Sequence, residues 1–144
     1  MIIHQFFVPG IAHSSYIVAG NKSCAVVDPE RDISRYIDAA MQMGLRITHI
    51  LETHLHADFI SGHLDLAKAT GAPIYAPGAG NCLFSHVPLL EGDEIQLEDI
   101  RFSVIETDTA SCTSMANRGG DEWLRTDRQH ASAGAARRFT KARS

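Results

Sequence analysis

Short apolar runs alternate with turn residues through most of the chain, and their spacing predicts the elements. Residues 2–8 and 15–19 are β-rich runs separated by Pro9 and Gly10, which predicts two neighbouring strands. Gly20 and Asn21 then make a turn into Cys24, Ala25, Val26 and Val27, a third short strand stopped by Asp28 and Pro29. Asp32 is placed to cap a helix in which Ile33, Tyr36, Ile37, Ala40 and Met41 recur at helical spacing, with Gly44 as its stop. Ile47 to Leu51 is the next strand. A second helix is predicted from Ser61 as its cap, carrying Leu64, Leu66 and Ala67 and closed by Gly71, before Pro73, Ile74 and Tyr75 return as a strand. Strands alternating with helices predict an α/β fold with crossover units packed on a sheet. Beyond Gly92, the alternation of Ile95 and Leu97 and then Ile100, Phe102, Val104 and Ile105 reads as a hairpin or meander.

The pattern fails after Thr109. Residues 111–144 hold only Met115, Trp123, Leu124 and Phe139 as large apolar side chains, too few to bury an amphipathic face over that length. Charge changes at the same place: residues 1–110 carry six basic and fourteen acidic side chains, residues 111–144 seven basic and three acidic. Two regions are therefore expected, a packed domain over 1–110 and a divergent tail over 111–144 that is disordered or a loosely docked helix.

With 144 residues, 44% of them apolar, the chain has material for one α/β core. The formal charge of -4 argues against nucleic acid as a partner, since a phosphate-tracking surface needs clustered Lys and Arg. No run has the length of a membrane span, and the opening MIIHQFFVPG lacks the layout of a secretory signal. Cys24, Cys82 and Cys112 have no paired spacing, which suits small buried thiols in a reducing, cytoplasmic setting.

The chemistry concentrates where the strand 47–51 ends, in Glu52, Thr53, His54, Leu55, His56, Ala57 and Asp58. Imidazoles at such close spacing can share one divalent metal, and a carboxylate beside them can bind it or orient a ligand histidine. One isolated histidine would more often be a hydrogen-bonded turn residue, but here a β-strand precedes the cluster and Ser61-Gly62 leads from it into a helix. The segment resembles the Thr-His-x-His-x-Asp-His signature of the metallo-β-lactamase superfamily. The likeness continues through the strand ending in Asp28-Pro29 and through HADFISGHLDLAKATGAPIYAPG, and covers about residues 1–107. It implies the N-terminal part of an αββα sandwich.

Within that superfamily the segment is most similar to persulfide dioxygenases and their rhodanese-fused relatives, with glyoxalase II hydrolases a step further away. Phe59 stands where hydrolases with two metals place the last histidine of the motif, and a phenyl ring cannot ligate. The resemblance therefore implies one Fe(2+), with Zn(2+) as the alternative, in a site of two histidines and one carboxylate with open positions. Carried over residue by residue, it implies that His54, His56 and Asp58 form the metal set. His54 is the firm ligand, His56 and Asp58 ligate or orient a ligand, and Asp58 is also the catalytic carboxylate. Asp28 supports the loop from an adjacent strand end. The implied substrate is a small thiol or persulfide such as glutathione persulfide, converted with O₂ to sulfite and glutathione; a homo-oligomer is left open. His63 and His86 read as structural or pocket residues, Tyr16 and Phe59 as core or pocket aromatics, and His4, His13, His49 and His130 are unassigned.

The chain departs from the family downstream. Asp108 occupies the place of the Pro-Gly-His that would bring the second strong ligand, and no Thr-Gly-Asp segment follows to bring the third. A one-base shift in a back-translation near residue 122 recreates a segment close to Leu-Thr-Gly-Asp-Thr-Leu, which reads the tail as out-of-frame peptide. The function expected is thus a metal-binding, persulfide-dioxygenase-like protein impaired by loss of its downstream ligands. The rivals are a zinc thioester hydrolase of glyoxalase II type and a non-catalytic, truncated remnant.

Overall fold

The computed structural model describes residues 1–11, 13–54, 61–78, 82–107, 112–117 and 123–124. Their elements run β1 Ile2–Val8, a 3-10 turn Pro9–Ile11, β2 His13–Ala19, β3 Ser23–Val27, α1 Ser34–Gln42, β4 Arg46–Leu51, α2 His63–Thr70, β5 Ile74–Pro77, β6 Val87–Leu89, β7 Glu94–Leu97, β8 Ile100–Thr107, β9 Cys112–Asn117 and β10 Trp123–Leu124. Six strands form one sheet in the order β1-β2-β3-β4-β5-β6, and four form a second in the order β10-β9-β8-β7. In the first sheet β1, β2 and β3 pair antiparallel, whereas β3 through β6 pair parallel, with α1 and α2 as the crossovers between β3 and β4 and between β4 and β5. The predicted α/β class and crossover units are therefore the observed ones.

Alternation along the strands gives the first sheet two buried faces. Ile17, Cys24, Val26, Ile47, Ile50 and Ile74 point to the helices and pack with Tyr36, Ala40 and Leu66. Val18, Ala25, Val27 and Leu51 point to the second sheet and meet Ile95, Leu97, Ile100, Phe102 and Val104. Helices, sheet and second sheet are three of the four layers of an αββα sandwich, as expected of its N-terminal part. The second sheet is antiparallel and has one face on this core, so β7 alternates exposed with buried residues and Ile100, Phe102 and Val104 of β8 are the buried set.

Helix ends follow the sequence at their C-terminal sides. Gly44 and Gly71 both have positive φ, at 67° and 74°, the left-handed backbone that terminates a helix at least cost in glycine. The N-terminal sides differ from expectation. Asp32 Oδ1 does accept from Ser34 N and Oγ, at 3.2 and 2.5 Å. The N-cap of α2 is Gly62 rather than Ser61, whose Oγ accepts from His63 N at a long 3.4 Å. Met41 and Leu64, expected on apolar faces, are 68% and 53% exposed because each points off the sheet.

The reading of residues 111 onward as disorder or helix is corrected where the structure describes them. Cys112–Asn117 pairs along β8 from Thr107↔Cys112 to Phe102↔Asn117, and Trp123 and Leu124 pair back onto Ala116 and Met115. Apolar content was the wrong guide, because a strand with few large apolar residues can still add its backbone hydrogen bonds to an antiparallel neighbour. β6, at the far edge of the first sheet, was not predicted either. It is three residues long and contains Pro88, which an edge strand tolerates and a central one does not. No helix among the described residues is long and apolar enough to cross a membrane.

Candidate metal centre

The parallel strands β3 and β4 end side by side, so the residues that follow each of them meet. Asp28, one residue past β3, is 1% exposed and has φ 49°, a left-handed backbone that a non-glycine residue adopts at a cost on the order of 1–3 kcal/mol. Hydrogen bonds through its N–H, its carbonyl and its carboxylate hold it there. Its N–H donates to Leu51 O at 2.8 Å, its carbonyl oxygen lies 2.8 Å from His13 Nε2, and its carboxylate takes both donors of Thr53, the backbone N–H at 2.7 Å and Oγ1 at 2.5 Å. Charge-assisted bonds of this kind contribute about 1.5–3 kcal/mol each, enough to offset the backbone cost. The support expected of Asp28 is thus a bidentate grip on Thr53.

Thr53 in turn sets the proton of His54. A hydroxyl has one hydrogen, and Thr53 Oγ1 gives its own to Asp28 Oδ2, so toward His54 Nδ1, 2.9 Å away, it can only accept. The proton of the neutral imidazole then sits on Nδ1 and the lone pair on Nε2. That tautomer is the one a metal takes through Nε2, with the other ring nitrogen oriented by its hydrogen bond. Of the metal set expected from the sequence, His54 is the member that the structure describes. His56 and Asp58, the other members of the expected set, lie outside the described residues, as do Phe59 and Asp108. Among the described residues no group of three or more His, Cys, Asp or Glu side chains is placed to hold a metal.

A second polar group lies beside this one and was not foreseen. Glu52, the residue before Thr53, is 2% exposed; its Oε1 accepts from Ser61 Oγ at 2.8 Å and lies 3.2 Å from His63 Nδ1. The His63 contact has ion-pair distance but not hydrogen-bond direction, so both ring nitrogens are buried without a hydrogen-bond partner among the described residues. The ring packs on Phe84, whose carbonyl lies 2.8 Å from His86 Nδ1. Gly62 lets the start of α2 lie against the segment that follows β3, since a Cβ there would stand 2.1 Å from Glu30 O. A Glu directly after a strand, followed nine residues on by Ser ahead of a helix, is the sequence signal that could have found the group.

The remaining candidates sort by environment. Tyr16 is half-buried against the core between the sheets, and desolvation, with a smaller contribution from Asp28, raises its phenol above the ordinary value. His49 stacks on Tyr75 and burial lowers its pKa. His4 packs on Phe6 at the β1 edge. Burial pushes the Cys24 thiol up to about 11, consistent with an inert core cysteine. Cys82 is raised by burial first and by the charge of Glu52 second. His130 lies outside the described residues.

A family model described as "Metallo-beta-lactamase superfamily" matches residues 8–122. The chain belongs to the metallo-beta-lactamase superfamily. Among curated relatives, hydroxyacylglutathione hydrolase of Rhodospirillum rubrum is 36% identical over 87 residues, 59% of this chain and 34% of its own length. The corresponding enzyme of Methylobacillus flagellatus is 33% identical over 88 residues, 61% of this chain and 35% of its own. The chain spans about a third of the length of these superfamily relatives. Among solved structures, a metallo-beta-lactamase from Staphylococcus aureus matches with TM-score 0.76 and 32% identity over 83% of this chain and 39% of that one. ETHE1 from Myxococcus xanthus matches with TM-score 0.73 over 81% of this chain and 54% of that one; at 24% identity it speaks to the fold alone. Membership in the superfamily implies a metal cofactor.

Proposed function

We propose that the chain is a metal-binding segment of persulfide-dioxygenase type. In this reading His54 anchors one Fe(2+), His56 and Asp58 complete what the chain retains of the set, and the substrate is a thiol-borne persulfide such as glutathione persulfide. The observation that carries the reading is the Asp28–Thr53–His54 chain of hydrogen bonds, which leaves His54 Nε2 as the basic atom. Phe59 supports one metal over two, because it removes a ligand that a second ion needs. When bound, the iron supplies redox chemistry toward O₂. The protein's own contribution is to fix the imidazole, to hold its proton at Nδ1, and through Asp58 to keep a carboxylate near the substrate. Persulfide sulfur and O₂ with water would leave as sulfite and free thiol. Asp108 in place of a ligand histidine makes the metal weakly held and turnover slow.

A second reading has a specific observation behind it. The curated relatives at 33–36% identity are hydroxyacylglutathione hydrolases, which favours a zinc thioester hydrolase acting on the same class of glutathione-linked substrate. A non-catalytic remnant that only binds metal is the outcome if neither reaction occurs. Iron- and zinc-loaded protein assayed in an oxygen electrode with glutathione persulfide, beside a thioester assay, separates the three. The proposed reading expects slow, iron-dependent oxygen uptake with sulfite released. Thioester cleavage by the zinc form without oxygen uptake selects the hydrolase.

A further inference from the structure

Glu52, Ser61 and His63 are buried or nearly so, converge beside the candidate metal centre, and have no part in the chemistry proposed for it. The sequence between Glu52 and Ser61 is the segment that carries His54, His56 and Asp58. Its two ends are tied by side chains. Ser61 Oγ lies 2.8 Å from Glu52 Oε1 and 2.9 Å from Pro29 O, so its one proton is shared between a carboxylate on the entering side and a carbonyl on the β3 side. Gly62 N donates to the same Pro29 oxygen at 3.0 Å, and Asp28, the neighbour of Pro29, grips Thr53. Three chain ends thus close on one another: Asp28-Pro29, Glu52-Thr53 and Ser61-Gly62.

A buried carboxylate is a costly way to join two backbone segments. Apolar residues of similar volume stabilise such a junction as well or better, and a charge there leaves a large penalty if a partner is lost. What a hydrogen-bonded carboxylate adds is direction. Groups that orient a metal-binding imidazole from one layer further out affect metal affinity by about 10–100-fold.

We propose that Glu52 and Ser61 are positioning residues that clasp the two ends of the ligand-bearing segment and so aim His54, with His63 as the packed wall that confines the Glu52 carboxylate. The inference rests on the reading of His54 as the metal anchor. Its test uses the full chain with Ser61→Ala, Ser61→Thr and Glu52→Gln. Two quantities are measured: zinc affinity by competition with a chromophoric chelator, and hydrogen exchange at the backbone amides of Thr53 and Gly62. Ser61→Ala should weaken zinc binding about tenfold or more and speed exchange at Thr53 and Gly62, while Val18 and Val26 in the sheet keep their protection. Ser61→Thr, which retains the hydroxyl, should restore both. Glu52→Gln, which keeps the shape and one acceptor, should give an intermediate loss of affinity and keeps the test decisive if the alanine variant unfolds. Unchanged exchange at Thr53 and Gly62, or faster exchange with unchanged zinc affinity, would overturn the proposal. If the unmutated chain takes up no zinc or iron, the reading of His54 has failed, and faster exchange at both amides in Ser61→Ala still supports the clasp.

Discussion

The hydroxyl proton of Thr53 decides which nitrogen of His54 is basic, and a single methyl-for-hydroxyl exchange tests that. Thr53→Val keeps the shape but removes both Oγ1 contacts, freeing the imidazole to change tautomer and leaving Asp28 Oδ2 with one donor fewer. Metal affinity measured by titration should fall about 10–100-fold, and stability in urea by about 1.5–3 kcal/mol from the lost hydrogen bond to a charged group; Thr53→Ser should retain most of both. A valine variant that binds metal like the parent would mean that Thr53 does not set the tautomer. The sequence singles out His54 as a candidate because two histidines and an aspartate within five positions are rare without a common task. It made Asp28 legible as a strand-end residue but not its grip on Thr53, since the pairing depends on β3 and β4 lying parallel and in register. Glu52, Ser61 and His63 were illegible for a related reason: Ser61 before an apolar helix looks like a cap, and only the folded chain shows its hydroxyl committed to Glu52 and Pro29.

At the scale of elements, one exposed carboxylate ties the two sheets together at their turns. Glu98, between β7 and β8, has φ 54° and accepts from Asn21 N at 2.6 Å and Lys22 N at 2.9 Å in the turn between β2 and β3, and from Ser23 Oγ at 2.6 Å at the start of β3. These bonds hold its pKa down to about 2, chiefly through Ser23. A carboxylate whose folded pKa is depressed adds stability above its unfolded value, and that contribution drains away as the pH falls through the folded one. Glu98→Gln should therefore be less stable than the parent at neutral pH, with the gap closing as acid is added from about pH 4.5 towards pH 2. Thermal melts of both proteins across that range check it; a gap independent of pH would remove the charge from the explanation. The alternation of Ile95, Leu97, Ile100 and Phe102 announced this hairpin, but its docking partner, more than seventy residues earlier, left no mark in the pattern.

For the whole molecule, the hydrophobic pattern was a sound guide to the strands that bury a face, less so for Met41 and Leu64 on the helices, and a poor one for β9, which has few apolar residues. Both faces of the first sheet were readable for that reason, while β9 was read as tail. From residue 125 onward Phe139 is the only large apolar side chain, and the family match ends at residue 122. Deleting residues 125–144 should change the unfolding free energy by less than about 0.5 kcal/mol, the range of changes that touch no buried feature. A loss above about 2 kcal/mol in denaturant titration would show that this segment packs on the rest.

The claim on which the functional account turns is that His54 anchors a metal. Anaerobic titration of the full chain with Fe(2+), followed by elemental analysis after gel filtration, tests it most directly when run on the parent, His54→Ala and His49→Ala. The account predicts up to one metal per chain in the parent, none in His54→Ala, and the parent's content in His49→Ala, whose imidazole is stacked on Tyr75. Equal metal in the parent and His54→Ala would contradict it.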